Sequence, residues 1–292
     1  MKRHDTSLKK PKIPGYTLLF CCGAGTGSEV WLGMDRRQNL LAVRLVSKTH
    51  DPALLTAERR GAVLYRSLAG WHANLMRILD FGETADYLYS VTEPADNISG
   101  AYGRYEPDTL ARRMKSGKMA FHAVLQCLNA VLAGMRYLHE RNIAHCDLKP
   151  ENILFVHGVL KIGDPGLVTF LGVRSSGGTE GFRPPWPASG KECDIHAFGK
   201  MIYMLCTRKN PQSFPEIPEQ CDLAAFMPLN EIALGCCENR PERRFRDADE
   251  IRRELSRLQP GGTAHFRICA GRNRRADSIR RGSRWEWPGA AG

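Results

Sequence analysis

The sequence predicts an α+β fold, with short strands in its first third and longer helices after them. Runs of β-type residues flank a glycine-rich turn at residues 23–30, and a further strand covers Leu40 to Val46. A chain of 292 residues, 42% hydrophobic and 25% charged, has room for two lobes around one cleft. From about Met119 to Arg141 the pattern is helical, because apolar residues recur at spacings of three and four: Val124, Leu128, Val131, Leu132, Met135 and Leu138.

Local signals place three further elements before that helix. Asp51 and Pro52 are typical of a helix N-cap and first turn, and they predict a helix that ends near Leu68. Leu75 to Leu79 and Leu88 to Thr92 read as two more strands. The first third of the chain is therefore expected to be a sheet with one helix inserted in it.

Composition and charge limit the function classes. No apolar run approaches membrane-spanning length, and the basic N-terminal residues lead into no apolar signal region, so a cytoplasmic protein is expected. Ten scattered cysteines lack the spacing of a zinc site and indicate free thiols. The net charge of +11 is partly due to residues 259–292, which hold seven arginines against two acids. A solvated tail is favoured there over contact with nucleic acid or lipid. No feature predicts an oligomeric state.

One stretch, His-Cys-Asp-Leu-Lys-Pro-Glu-Asn at residues 145–152, concentrates polar chemistry directly after the long helix. Two short β-type runs follow it, Ile153 to Val156 and Val159 to Ile162, and His157-Gly158 between them predicts a tight hairpin. A hairpin brings its outer ends together. Asp147, Lys149 and Asn152 at one end should therefore meet Asp164 at the other, as in a metal and phosphate site.

These residues, followed by Asp164-Pro165-Gly166, resemble the catalytic and metal-binding loops of the protein kinase family, in the bacterial serine/threonine type. The resemblance implies a two-lobed fold with a small β-rich N-terminal lobe and a larger, mainly helical C-terminal lobe. It implies a basic leader at 1–15, a kinase domain at 16–258 (lobes 16–93 and 98–258, hinge 94–97) and a disordered tail at 259–292. In the larger lobe, a helix is expected from Gly199 to about Cys206, and a last one from Asp247 to Leu258.

The resemblance also assigns roles. Asp147 would orient a serine or threonine hydroxyl of a protein substrate and accept its proton, and Lys149 would neutralise the transferring phosphoryl group. Asn152 and Asp164 would hold Mg²⁺. Asp194 would tie the backbone of the catalytic loop. The residues implied in contact with ATP are Gly23, Ala24, Gly25, Thr26, Gly27, Ser28, Val30, Ala42, Arg44, Glu93 and Ala95.

Among the residues implied near the nucleotide, the sequence departs from the family pattern at positions 44 and 61. Arg44 stands where the family has a lysine between the α- and β-phosphates, and a guanidinium is larger and planar. Gly61 occupies the place of the helix glutamate that pairs with that lysine, while Glu58 lies one turn earlier on the same face. Glu58 either pairs with Arg44 or remains a solvated helix charge, and the sequence leaves both open.

The regulatory and docking segments depart as well. Cys146 replaces the arginine that grips a phosphorylated activation loop in many relatives, so an activation loop that orders without phosphate is expected. Pro165 replaces the usual phenylalanine. Trp186 replaces a glutamate that pairs with an arginine, here Arg244, so that Glu180 or Glu192 takes over or Arg244 is solvated.

Two functions therefore stay open on sequence alone. The first is an ATP- and Mg²⁺-dependent serine/threonine kinase of reduced activity, favoured by the intact acid, amide and metal ligands. The second is a pseudokinase that keeps the fold and scaffolds a partner, favoured by Arg44, Gly61, Pro165 and Trp186.

Overall fold

The computed structural model describes most of the chain between residues 10 and 258. The described ranges are 10–25, 27–49, 51–68, 72–99, 104–117, 119–173, 178–217 and 223–258. The predicted tail at 259–292, most of the predicted leader and the candidate nucleotide contact Thr26 lie outside them.

The N-terminal lobe is an antiparallel sheet of five strands in the order β1-β2-β3-β5-β4. Alternating apolar residues such as Leu41, Val43 and Leu45 form a small core on one face of the sheet. The strands are β1 Tyr16–Gly25, β2 Ser28–Asp35, β3 Leu40–Ser47, β4 Ile78–Glu83 and β5 Tyr87–Thr92.

Helix α1, Pro52–Arg66, lies between β3 and β4 in the chain. Asp51 caps it as predicted, because its carboxylate accepts a hydrogen bond from the N–H of Ala53 at 2.9 Å. The prediction of a strand from Leu75 to Leu79 was wrong in its bounds. Leu75 makes a single parallel bridge to Ile162 in the other lobe, so strand pairing begins only at Ile78.

The C-terminal lobe is mainly helical and surrounds one large apolar core. All six apolar positions predicted for the long helix are buried there. The helices are α2 Leu110–Ser116, α3 Phe121–His139, α4 Gly190–Thr207, α5 Leu223–Cys236 and α6 Ala248–Ser256; β6 Ile143–Ala144 pairs with β9 Thr169–Phe170, and β7 Ile153–Val156 pairs with β8 Val159–Ile162. None of the helices in the described ranges is both long and apolar enough to cross a membrane.

Helix α4 begins nine residues before the predicted start at Gly199. Ser189 and Glu192 form a reciprocal capping box that fixes its first turn at Gly190. The last helix begins after the cap Asp247, as expected, and ends two residues earlier than predicted. The long α4 passes beside the loop at residues 145–152, and that contact organises the candidate site.

Candidate active site

The β7/β8 hairpin forms in the predicted register, with Ile153 opposite Ile162. His157 and Gly158 both adopt positive φ, at 51° and 74°, as a two-residue turn of this hand requires. The hairpin ends bring the two halves of the site together: the N–H of Gly163 donates to the carbonyl of Asn152 at 2.8 Å.

The loop that precedes the hairpin is fixed from below by Asp194 of α4. The Asp194 carboxylate is fully buried and accepts hydrogen bonds from the backbone N–H groups of His145 at 2.8 Å and Cys146 at 2.7 Å. Nε2 of His139 lies 2.9 Å from the same carboxylate. These contacts hold Cys146 in a left-handed conformation, φ 65°, that turns the chain toward Asp147.

Both oxygens of Asp147 are engaged. Oδ1 accepts from the N–H of Thr179 at 3.0 Å and from its hydroxyl at 2.7 Å. Oδ2 accepts from Nζ of Lys149 at 2.7 Å and from Nδ2 of Asn152 at 3.0 Å. Lys149 also donates to the Thr179 hydroxyl at 2.7 Å. A hydroxyl thus rests between the carboxylate and the ammonium, the arrangement that a reacting alcohol needs.

The environment keeps Asp147 ionised. Burial alone would raise the pKa of Asp147, but the charge of Lys149 and the hydrogen bonds from Lys149 and Thr179 outweigh burial and leave the pKa below its usual value. The group is therefore a carboxylate at neutral pH and can accept a hydrogen bond from a substrate hydroxyl.

Arg44 on β3 joins two carboxylates across the cleft. Its Nη1 and Nη2 donate to the two oxygens of Glu58, each at 2.8 Å, and its Nε lies 3.1 Å from Oδ1 of Asp164. Glu58 is only 6% exposed, so the alternative of a solvated helix charge is not what the structure shows. Lys48, the first residue after β3, pairs with Glu83 at 2.8 Å and not with Glu58 or Asp164.

Close packing at Gly61 explains why the carboxylate that pairs with Arg44 comes from Glu58, one helical turn before position 61. A Cβ atom at Gly61 would lie 2.8 Å from the carbonyl oxygen of Pro165 and 3.0 Å from that of Gly166. A Cβ at Gly166 would in turn collide with the Glu58 carboxylate. The α1 helix and the turn after Asp164 approach so closely that a side chain at position 61 has no room.

Arg44 stays charged in this setting. Burial would lower its pKa, but the carboxylates of Asp164, Glu58 and Asp147 together raise it. The conformation of Asp164 is left-handed, φ 55°, and its Oδ1 also accepts from the N–H of Gly166 at 3.4 Å.

The glycine-rich segment is mostly strand. Strands β1 and β2 pair through Gly25 and Ser28, and Gly27 turns the chain with φ 76°. Val30 lies opposite Arg44 in the sheet. Residues Gly23, Ala24, Gly25, Gly27, Ser28 and Val30 therefore belong to the hairpin of β1 and β2, and Ala42 lies on β3 two positions before Arg44.

The segment after β5 presents one backbone donor. Among the described residues, none accepts a hydrogen bond from the N–H of Ala95. Its carbonyl, by contrast, accepts from the hydroxyl of Tyr105 at 2.8 Å, a contact that the sequence did not suggest. Glu93 is held by an ion pair with Lys161.

A family model described as protein kinase domain matches residues 16–255 of the chain. The chain belongs to the protein kinase family. The match covers both lobes and every residue of the site described above.

Curated relatives agree with the bacterial serine/threonine type. The chain is 26% identical to a probable serine/threonine-protein kinase of Clostridium acetobutylicum over 81% of its own length and 39% of that protein. It is 25% identical to a probable serine/threonine-protein kinase of Streptomyces coelicolor, over 87% and 42%, and 27% identical to serine/threonine-protein kinase PrkC of Bacillus subtilis, over 67% and 31%. The chain spans less than half the length of these relatives.

The ion pair of Arg244 differs from the one that the family pattern implies. Arg244 is buried and pairs with Glu192, while its guanidinium carbon lies 4.5 Å from the ring centre of Trp186. Of the alternatives left open by the sequence, the structure shows Glu192 as the partner. Trp186 replaces the family glutamate with a cation-π contact, and it also packs edge-on against His196 at 5.4 Å.

The predicted metal ligands fit Mg²⁺. Asn152 uses its amide nitrogen on Asp147, which leaves Oδ1 as an acceptor, and Asp164 keeps Oδ2 outside its contacts with Arg44 and Gly166. Mg²⁺ binds one or two protein oxygens together with substrate phosphates rather than a full protein cage. In keeping with this, the described residues contain no cluster of three or more His, Cys, Asp or Glu suited to a metal ion.

Proposed function

We propose that this chain is an ATP- and Mg²⁺-dependent protein kinase that transfers the γ-phosphate to serine or threonine hydroxyls, at a rate limited by Arg44. The observation that carries the proposal is the cluster of Asp147, Lys149 and Asn152. The side chains of Lys149 and Asn152 both donate hydrogen bonds to the Asp147 carboxylate. Residues 16–258 would form the catalytic domain, with the hinge at 94–97, in a cytoplasmic protein.

In this proposal Asp147 accepts a hydrogen bond from the substrate hydroxyl, in the place that the Thr179 hydroxyl occupies 2.7 Å from Oδ1. Lys149 offsets the charge on the transferring phosphoryl group. Asn152 and Asp164 would hold Mg²⁺, which supplies charge neutralisation on the phosphates. Most of the rate would come from positioning and electrostatics, because phosphoryl transfer needs little covalent participation from the protein.

The nucleotide would lie under the glycine-rich hairpin of β1 and β2. The N–H of Ala95 and the carbonyl of Glu93 would bind the adenine edge, with Val30 and Ala42 on its face. Backbone groups of residues 23–28, including Thr26, would approach the phosphates. Arg44 would contact the phosphates with its remaining N–H groups while bonded to Glu58 and Asp164, and this constraint on its position supports a reduced rate.

A pseudokinase is the second candidate, and the ion pair between Arg44 and Asp164 favours it. A guanidinium 3.1 Å from Oδ1 neutralises the carboxylate that would otherwise attract Mg²⁺. Such a site would keep α1 packed against the turn after Asp164 without a metal ion, and the domain would act as a binding module.

Phosphate transfer from labelled ATP to a generic basic protein separates the two candidates. The native chain is expected to transfer phosphate only with Mg²⁺, Asp147→Ala and Asp164→Asn to lose transfer, and Asp86→Asn to match the native chain. Asp86 is an exposed aspartate in the turn between β4 and β5, which makes it a matched control. Transfer that appears only in Arg44→Lys would assign the natural protein to the pseudokinase class.

Binding of ATP is measured in the same set of variants. The kinase proposal requires ATP affinity that rises with Mg²⁺ and falls in Asp164→Asn. A native chain that neither binds ATP with Mg²⁺ nor transfers phosphate would overturn it.

A further inference from the structure

Arg183 shares a small hollow with the catalytic residues. The hollow is lined by Arg183, Asp147, Thr179 and Phe182, with Cys146, Leu148, Cys193 and Ala197. Arg183 is exposed, and its stem lies against the backbone of Gly178, where an added Cβ would come within 3.2 Å of the arginine Cγ. Arg183 therefore lines the same hollow as Thr179, whose hydroxyl lies at the position proposed for the acceptor hydroxyl.

The Arg183 guanidinium has no ion pair or hydrogen bond with any residue in the described ranges. Other cations of the site are paired: Lys149 with Asp147 and Arg244 with Glu192. The neighbouring carboxylate of Glu180 accepts from Nε2 of Gln212 at 3.1 Å. Arg183 thus differs from these neighbours in having no hydrogen-bond or ion-pair partner among the residues that the structure describes.

The hollow itself cannot neutralise Arg183. Its only acidic lining residue is Asp147, whose oxygens are already engaged by Thr179, Lys149 and Asn152, and the other lining groups are thiols or apolar side chains. A guanidinium with free N–H groups binds carboxylate and phosphate in a bidentate manner. The Arg183 guanidinium therefore has N–H groups available for an anion supplied by another molecule.

We propose that Arg183 is a specificity-determining residue that selects substrates with an anionic side chain, carboxylate or phosphate, within two residues of the acceptor serine or threonine. This inference rests on the proposed kinase function. The distance limit follows from the shared hollow, because an extended peptide advances about 3.3 Å per residue.

The first test compares phosphorylation of short serine peptides that carry Asp, phosphoserine, Ala or Lys at each of the two positions on either side of the acceptor. The native chain is expected to favour Asp over Ala about fivefold in kcat/KM at one or more of these positions, and phosphoserine at least as strongly. Arg183→Met, which keeps the aliphatic stem, should bring that ratio to about one. Arg183→Glu should favour Lys, and the exposed Arg36→Met is the matched control that keeps the native ratio.

The second test needs no catalysis. Equilibrium binding of the same peptides with Ala in place of the acceptor serine is measured for the native chain, Arg183→Met and Arg183→Lys. Tighter binding of anionic peptides that is lost in Arg183→Met and kept in Arg183→Lys supports the inference, even if no phosphate is transferred and the kinase proposal fails. Equal binding of anionic and neutral peptides, or a preference unchanged in Arg183→Met, would overturn it.

Discussion

The pairing of Arg44 with Glu58 gives a quantitative prediction for Arg44→Met. Glu58 is 6% exposed, and both of its oxygens are bonded to Arg44 at 2.8 Å. Removal of the guanidinium leaves a buried carboxylate without a partner, which costs about 3 to 5 kcal/mol in the free energy of unfolding. For a domain of this size the melting temperature should fall by about 8 to 15 °C.

A double-mutant cycle identifies the cause. Glu58→Leu alone should cost less than Arg44→Met, because Arg44 keeps Asp164 as a partner at 3.1 Å. The double variant Arg44→Met with Glu58→Leu should recover most of the loss, since no unpaired carboxylate remains on α1. Thermal unfolding followed by circular dichroism measures all four proteins. Additive losses in the double variant would refute the claim that Arg44 and Glu58 stabilise the domain as a pair.

Three further predictions concern separate parts of the domain. Asp194→Ala leaves the N–H groups of His145 and Cys146 without their buried acceptor. The variant should lose about 3 kcal/mol in the free energy of unfolding, measured in urea, and most of the phosphate transfer. A variant with native stability would contradict the role assigned to Asp194. Gly61→Glu restores the residue type of the family but should destabilise by about 1 to 3 kcal/mol without raising activity, because its Cβ meets a carbonyl oxygen at 2.8 Å; a gain in transfer rate would show that α1 can move away. Burial lowers the pKa of His196 to about 4, so the unfolded chain binds a proton at this residue more readily than the folded chain does. The contribution of His196 to the free energy of unfolding is therefore complete above about pH 6.5 and falls by about 3 kcal/mol as the pH drops toward 4. Urea titrations at pH 7.5 and 4.5 should show this fall in the native chain and not in His196→Gln.

Short-range patterns were sufficient for several elements. The β7/β8 hairpin could be predicted because the turn between its strands carries a residue pair that tolerates positive φ at both positions. The long helix α3 could be predicted because its apolar positions, from Val124 to Leu138, repeat over about four turns. Both signals lie within the segment that folds, so no knowledge of distant contacts was required.

The start of α4 was missed although its signal is local. Ser189 and Glu192 have the spacing of a capping box, which would have placed the first turn at Gly190 rather than near Gly199. The strand expected from Leu75 shows the opposite case. Leu75 has the residue type of a strand, but its backbone pairs with Ile162 of the other lobe, and only tertiary structure determines such a bridge.

The choice of Glu58 as the partner of Arg44 also depends on tertiary structure. Sequence spacing places Glu58 and Gly61 on one helix face and cannot rank them. The close approach of α1 to the carbonyl groups of Pro165 and Gly166 excludes a side chain at position 61 and brings Glu58 into reach. Thr179 and Arg183 were missed as site residues for the same reason, since 30 or more positions separate them from Asp147 in the sequence.

The hydrogen bond from Tyr105 to the Ala95 carbonyl has a consequence for inhibitor chemistry. Under the proposed function, heterocycles that donate to the Ala95 carbonyl would have to share that oxygen with a phenol bonded at 2.8 Å, whereas compounds that bind only the Ala95 N–H would not. A fragment screen against this domain should therefore enrich small acceptors over bulky donor–acceptor scaffolds, and Tyr105→Phe should widen the set of scaffolds that bind.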